Sequence, residues 1–175
     1  MKWLSIFRAV LNLVYLLTLI SALGIPIAIY LLVSQKDFNY SISGITLINY
    51  HWSFYLVLFF SVLGYLAFIR MLYLMRSASI KLSPRKLFNH ETATIIIKAG
   101  RNCILAGMLT KIPILIYRIV FRSRVVTTNS DTDSIEFLIN FDTLFVIISF
   151  GFFLMLTGIV MKEGNTLKQE NDLTI

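Results

Sequence analysis

The sequence predicts an all-α integral membrane protein, a four-helix bundle with N and C termini cytoplasmic. Three observations lead there. Hydrophobic residues make up 57% of the 175 and charged residues only 14%, where soluble domains carry about 45–50% and about 25%. Mean hydropathy is +0.78, so there is too little polar surface to cover a globule in water. The apolar residues also gather into four runs, each close to the about 20 residues that cross about 30 Å of hydrocarbon. In lipid such runs must close their own backbone hydrogen bonds, which favours helices. None shows the alternating polarity of a membrane barrel strand.

The first span, about 9–33, reads "AVLNLVYLLTLISALGIPIAIYLLV" and holds no charge. A signal peptide is the rival reading of this start. The apolar run, however, outlasts the 7–15 residues of such a segment, which favours an uncleaved span. Gly24 and Pro26 are expected to kink it, because proline cannot donate its backbone hydrogen bond. The second span, about 52–75, carries one cation, Arg70. The third, about 102–121, carries Lys111 and Arg118 around Pro113. The fourth, about 137–161, carries Asp142; Gly151 and Gly158 share a face of it and permit close helix approach.

Orientation follows from the basic residues outside the spans. Lys2, Arg8, Arg76, Lys81, Arg85, Lys86, Lys98, Arg101, Lys162 and Lys168 fall on one side, against Lys36, Arg122 and Arg124 on the other. The positive-inside rule places the richer side, with both termini and the loop 76–101, in the cytoplasm. The acidic "SDTDSIE" of the third loop then faces outward. A net charge of +7 laid out this way suits topology and contact with anionic lipid headgroups. It does not suit direct nucleic acid binding, which needs a folded basic face.

The loop 76–101 is the longest polar connection. Pro84 interrupts any helix leaving the second span, and Asn89 is placed to cap a new one with Glu91 in its first turn. Its mix of isoleucines and basic residues fits either an elbow lying among lipid headgroups or a docking surface for a cytoplasmic partner. The tail 162–175 is too short to fold alone and reads as a solvated helix end.

Ionisable residues inside spans are candidate functional groups by default. Arg70, Lys111, Arg118 and Asp142 are those residues here. Arg118 and Asp142 lie at similar depth, which predicts a pair, with Lys111 turned into the bundle. Nothing else carries chemistry. No phosphate-binding loop, dinucleotide fingerprint, zinc motif or nucleophile elbow is present, and no cofactor is expected. Two histidines and the single Cys103 make neither a metal site nor a disulfide framework. The expectation is a protein that is not an enzyme, formed as a single membrane domain over 1–175.

The closing stretch "EGNTLKQENDLTI" resembles the end of a family of small bacterial four-span membrane proteins, domain of unknown function 2975. Members tend to end in the pattern E-G-x-x-L-x-x-E-N-D-L-T-I. Glu163, Gly164 and Leu167 match it here, followed by Glu170, Asn171, Asp172, Leu173, Thr174 and Ile175. In the second loop Phe88, Glu91, Ile95 to Ile97 and Gly100 also fit, while Thr92 stands where the family has asparagine. The resemblance extends over all four spans, and it is specific in the tail. It implies a multi-pass protein of the bacterial inner (cytoplasmic) membrane. Members are often encoded beside a small helix-turn-helix transcriptional regulator, which implies such a regulator as partner for Phe88, Glu91 and the run from Glu170 to Ile175. The rival function class is a small transporter, channel or immunity-type protein using the charges inside the bundle.

Overall fold

The computed structural model describes residues 2–34, 40–42, 45–47, 54–82, 89–120, 125–126 and 130–173. Within the helices, side chains are described for 3–27, 30, 55–81, 90–117, 119–120 and 143–171. Four helices dominate: α1 (Lys2–Ser34), α2 (Phe54–Lys81), α3 (His90–Val120) and α4 (Ser130–Leu173). Each contains a stretch long and apolar enough to cross a membrane.

The helices outrun the spans expected from hydropathy. At 1.5 Å per residue, the 28 residues of α2 reach about 42 Å and the 44 of α4 about 66 Å, where about 30 Å suffices. The loop expected over 76–101 is therefore mostly helix, since α2 continues to Lys81 and α3 begins at His90. Pro84, expected to interrupt the helix, lies outside the described residues. The segment 130–136, expected as an outer loop, opens α4, and the expected tail is its helical end as far as Leu173. The reason is cooperative. Once a span has nucleated, each further turn adds a hydrogen bond per residue fixed, and the Lys, Glu, Gln and Leu of the tail are good helix formers. Pro26 and Pro113 lie inside continuous helices.

Packing runs from α1 to α2, from α2 to α3 and from α3 to α4, with α3 clasped between two partners and α1 held more sparsely. Arg8 hydrogen-bonds the end of α2 and Tyr15 packs against Tyr73, so α1 and α2 are antiparallel. One core cluster joins Met71 and Leu72 of α2 to Ala99 and Cys103 of α3, with Tyr15 and Ile147 packed against it from α1 and α4. A second joins Ala78, Ile96 and Leu154.

Small residues are frequent in the interior, and many large apolar ones face outward. Ala93, Ala99 and Ala106 are buried, whereas Trp3 is 84% exposed and Phe153 63%. In water that arrangement would be unstable, because burial of large apolar side chains drives soluble folding. In lipid the outer residues lie in a solvent as apolar as themselves, and small residues let helices close. A Cβ placed on Gly100 would stand 2.6 Å from the Gly151 carbonyl oxygen, so α3 and α4 touch backbone to backbone there.

The sequence reading contains no strand, and among the described residues the structure adds three short ones. β1 (Tyr40–Ile42) pairs antiparallel with β2 (Ile45–Leu47), and β2 with β3 (Val125–Val126). They tie the α1–α2 connection to the α3–α4 connection at one end of the bundle.

Candidate functional site

The opposite end collects the start of α1, the end of α2, the start of α3 and the end of α4. Its geometry begins with an orphan-carbonyl problem. The last turn of α2 has C=O groups without intrahelical partners, and Arg8 of α1 supplies donors. Its Nε donates to Ser79 O at 2.8 Å, and its Nη2 donates to Leu82 O at 2.7 Å and Ile80 O at 3.3 Å. A cation at a helix C-terminus also opposes the negative end of the dipole. Two turns along, the Arg76 guanidinium sits 5.5 Å from the ring centroid of Tyr15, within cation–π range.

Across the connection, Asn89 caps α3 as its sequence position predicts. Its Oδ1 accepts from the Glu91 N–H at 3.1 Å, and its carbonyl accepts from the Ala93 N–H at 3.0 Å. Glu91 pairs with Lys81, fixing the entry of α3 beside the exit of α2. Thr92 is 1% exposed and its Oγ1 has no hydrogen-bond partner among the described residues. Beyond Met161, which packs on the Ala78–Ile96–Leu154 cluster, α4 leaves the others as an exposed polar rod with Leu167 65% exposed.

The residues singled out from sequence fall unevenly on this frame. Glu91 lies on the first turn of α3, and Glu170 and Asn171 lie near the end of α4, exposed. Gly158 of α4 faces Ala93 and Ile97 of α3, so Glu170 projects roughly 12–15 Å beyond the level of Glu91. The two share an end of the molecule and not one spot. Asp172 and Leu173 belong to α4 by backbone; their side chains, and all of Phe88, Thr174 and Ile175, lie outside the described residues. Arg70 is exposed on the outer face of α2. Lys111 is half-buried and shares the stripe of α3 with Gly100, Ile104 and Gly107 that packs on α4. The side chains of Arg118 and Asp142 lie outside the described residues, and with them the expected pair.

Sequence reasoning missed Arg8, Tyr15, Arg76, Thr18 and Tyr65. Tyr65 OH donates to Thr18 O at 2.8 Å and lies against Ser21 Oγ, a polar lock between α1 and α2 in an apolar setting. The signal was present: Leu4, Arg8, Leu11, Tyr15, Thr18, Ala22 and Ile25 recur at alternating four and three and form the half-buried stripe of α1. Among the described residues no three His, Cys, Asp or Glu side chains converge. What this end offers, among the described residues, is a mostly cationic rim with a projecting helix, suited to binding. The chain matches no family model, no curated protein and no solved structure.

Proposed function

We propose that this is a non-catalytic multi-pass protein of the bacterial inner (cytoplasmic) membrane. It acts by docking a soluble partner on the cytoplasmic end formed by the α2–α3 turn and the tail of α4. The observation that carries the reading is the length of α4. A helix of 44 residues is about twice what a bilayer needs, and its end beyond Met161 is polar and largely exposed. A rod held by four packed helices presents its contacts with little further ordering cost, which favours affinity. The resemblance of "EGNTLKQENDLTI" to the ending of domain of unknown function 2975 supports a helix-turn-helix regulator as that partner.

The test is in-cell crosslinking and purification by an N-terminal tag, comparing the full chain with one ending at Glu163. A small DNA-binding protein recovered only with the full chain supports the docking role. Equal recovery from both chains, or an empty lane from both, removes it. A second reading is favoured by one observation: Lys111 is half-buried at mid-helix between α3 and α4, where a cation is costly. A small transporter, channel or immunity-type role then predicts that Lys111→Ala abolishes transport or protection while insertion persists.

A further inference from the structure

The two outer faces of the bundle do not agree on where the apolar band ends. On α3 the exposed stripe runs Ile116, Ile112, Met108 and Leu105, then turns abruptly to Arg101 and Lys98. On α2 the exposed stripe runs Phe59, Leu63 and Leu66, then Arg70. These cations are level with one another, because Met71, next to Arg70, clusters with Ala99 and Cys103, which flank Arg101. Arg70 and Lys98 also open to the same side, whereas Arg101, midway between Ala99 and Cys103, lies on the face of α3 turned away from α2. Lys81 lies three turns past Arg70 on its face of α2, Lys98 lies two turns past Glu91 on its face of α3, and Lys81 pairs with Glu91.

At that same level the other two helices expose large apolar side chains. Gly100 of α3 meets Gly151 and Met155 of α4, and there α4 exposes Phe152, Phe153 and Leu156. On α1 the level falls between Tyr15 and Thr18, where Leu16 and Leu17 are exposed. The apolar surface of α4 continues to Val160, beside the partners of Gly158, Ala93 and Ile97. Arg70 and Arg101 therefore sit on the order of 10 Å inside the apolar band that α1 and α4 define. Helical Cα–Cβ bonds tilt toward the N-terminus. In α3 that sends Lys98 and Arg101 toward the near surface, but in α2 it starts Arg70 toward the far one, the wrong direction for snorkelling. Among the described residues none of the three cations has an acidic partner, since Glu91 is taken by Lys81.

We propose that the outer face of the α2–α3 pair is a recessed site for the phosphate of an anionic phospholipid, formed by Arg70 and Lys98 with Asn102 and Ser77 as neutral neighbours. The inference rests on the membrane reading above. A phosphodiester drawn below the general headgroup plane supplies the missing negative charge and accepts several N–H donors at once. Its acyl chains lie along Leu105, Met108 and Leu66, which continue the stripes. Basic clusters between membrane helices on the cytoplasmic side recognise lipid headgroups in this way.

The test is native mass spectrometry of the full chain in nonionic detergent, titrated with phosphatidylglycerol and separately with phosphatidylcholine. The expected result is preferential retention of phosphatidylglycerol. Arg70→Gln/Lys98→Gln should weaken it roughly fivefold per cation and about 25-fold together. The charge-conserving Arg70→Lys/Lys98→Arg should retain most of it, and the single Arg70→Gln serves where the double variant does not fold. Equal affinity for the two lipids overturns the proposal. So does an equal loss in Lys162→Gln/Lys168→Gln, which would mark diffuse attraction, or a protein carboxylate crosslinked to Arg70 in place of lipid. Extraction of the wild-type chain from membranes by alkaline carbonate would instead overturn the membrane reading itself.

Discussion

Replacing Gly100 by alanine adds one carbon to the seam between α3 and α4. That carbon would stand 2.6 Å from Gly151 O, 2.7 Å from Met155 Cγ and 2.9 Å from Met155 N. Two of the three are backbone atoms and cannot rotate aside, so the helices must separate by several tenths of an ångström along the seam. Overpacking of this kind costs about 1–3 kcal/mol. Gly24 in α1 supplies the control, because nothing lies within 4 Å of its added Cβ. There alanine should be neutral or stabilising by up to about 1 kcal/mol through helix propensity. The single Cys103 is the built-in reporter. It is buried one turn from Gly100, and its Sγ donates to Ile147 O at 3.6 Å across the same seam. Maleimide labelling of Cys103 in mild detergent measures the fraction of time the seam is open. The cost converts to a labelling rate raised roughly 5- to 150-fold for Gly100→Ala, with no increase for Gly24→Ala. Wild-type labelling of Gly100→Ala, or an increase in Gly24→Ala of the same size, would refute the close-packed seam.

Three further outcomes test other parts of the frame. Thr92→Val keeps the shape of a buried side chain while removing a hydroxyl without a partner among the described residues, and should raise detergent stability by about 1–3 kcal/mol, read from the unfolding midpoint. Tyr65→Phe removes the donor to Thr18 O and should weaken the α1–α2 contact by about 0.6–1.7 kcal/mol. The readout is recovery of a co-expressed 1–34 fragment with 35–175. Asn89→Ala should cost about 1 kcal/mol by uncapping α3. Glu91→Gln should cost less, because its ion pair with Lys81 is well exposed. Hydrogen exchange over the first turn of α3 ranks the two.

The sequence alone determined the four apolar helices, because a long apolar run has one stable backbone arrangement in lipid whatever its neighbours do. It also determined the cap at Asn89, since caps act within a few residues of themselves. Helix ends were not legible. Polar residues continue α2, α3 and α4 past their apolar segments, and hydropathy does not register helices that keep their hydrogen bonds in water. Tertiary structure decided which residues meet. Arg8 capping α2, Tyr65 locking α1 and the pairing of β2 with β3 join positions far apart in the chain, and no local pattern specifies them. The depth of Arg70 is likewise a tertiary property. Along its own helix it is one cation in an oily run; only the axial register of α2 against α3 and α4 makes it part of a cluster recessed below the surface. That register is set by where glycines and alanines allow backbones to touch, a matter of steric fit between helices and not of any one helix's composition.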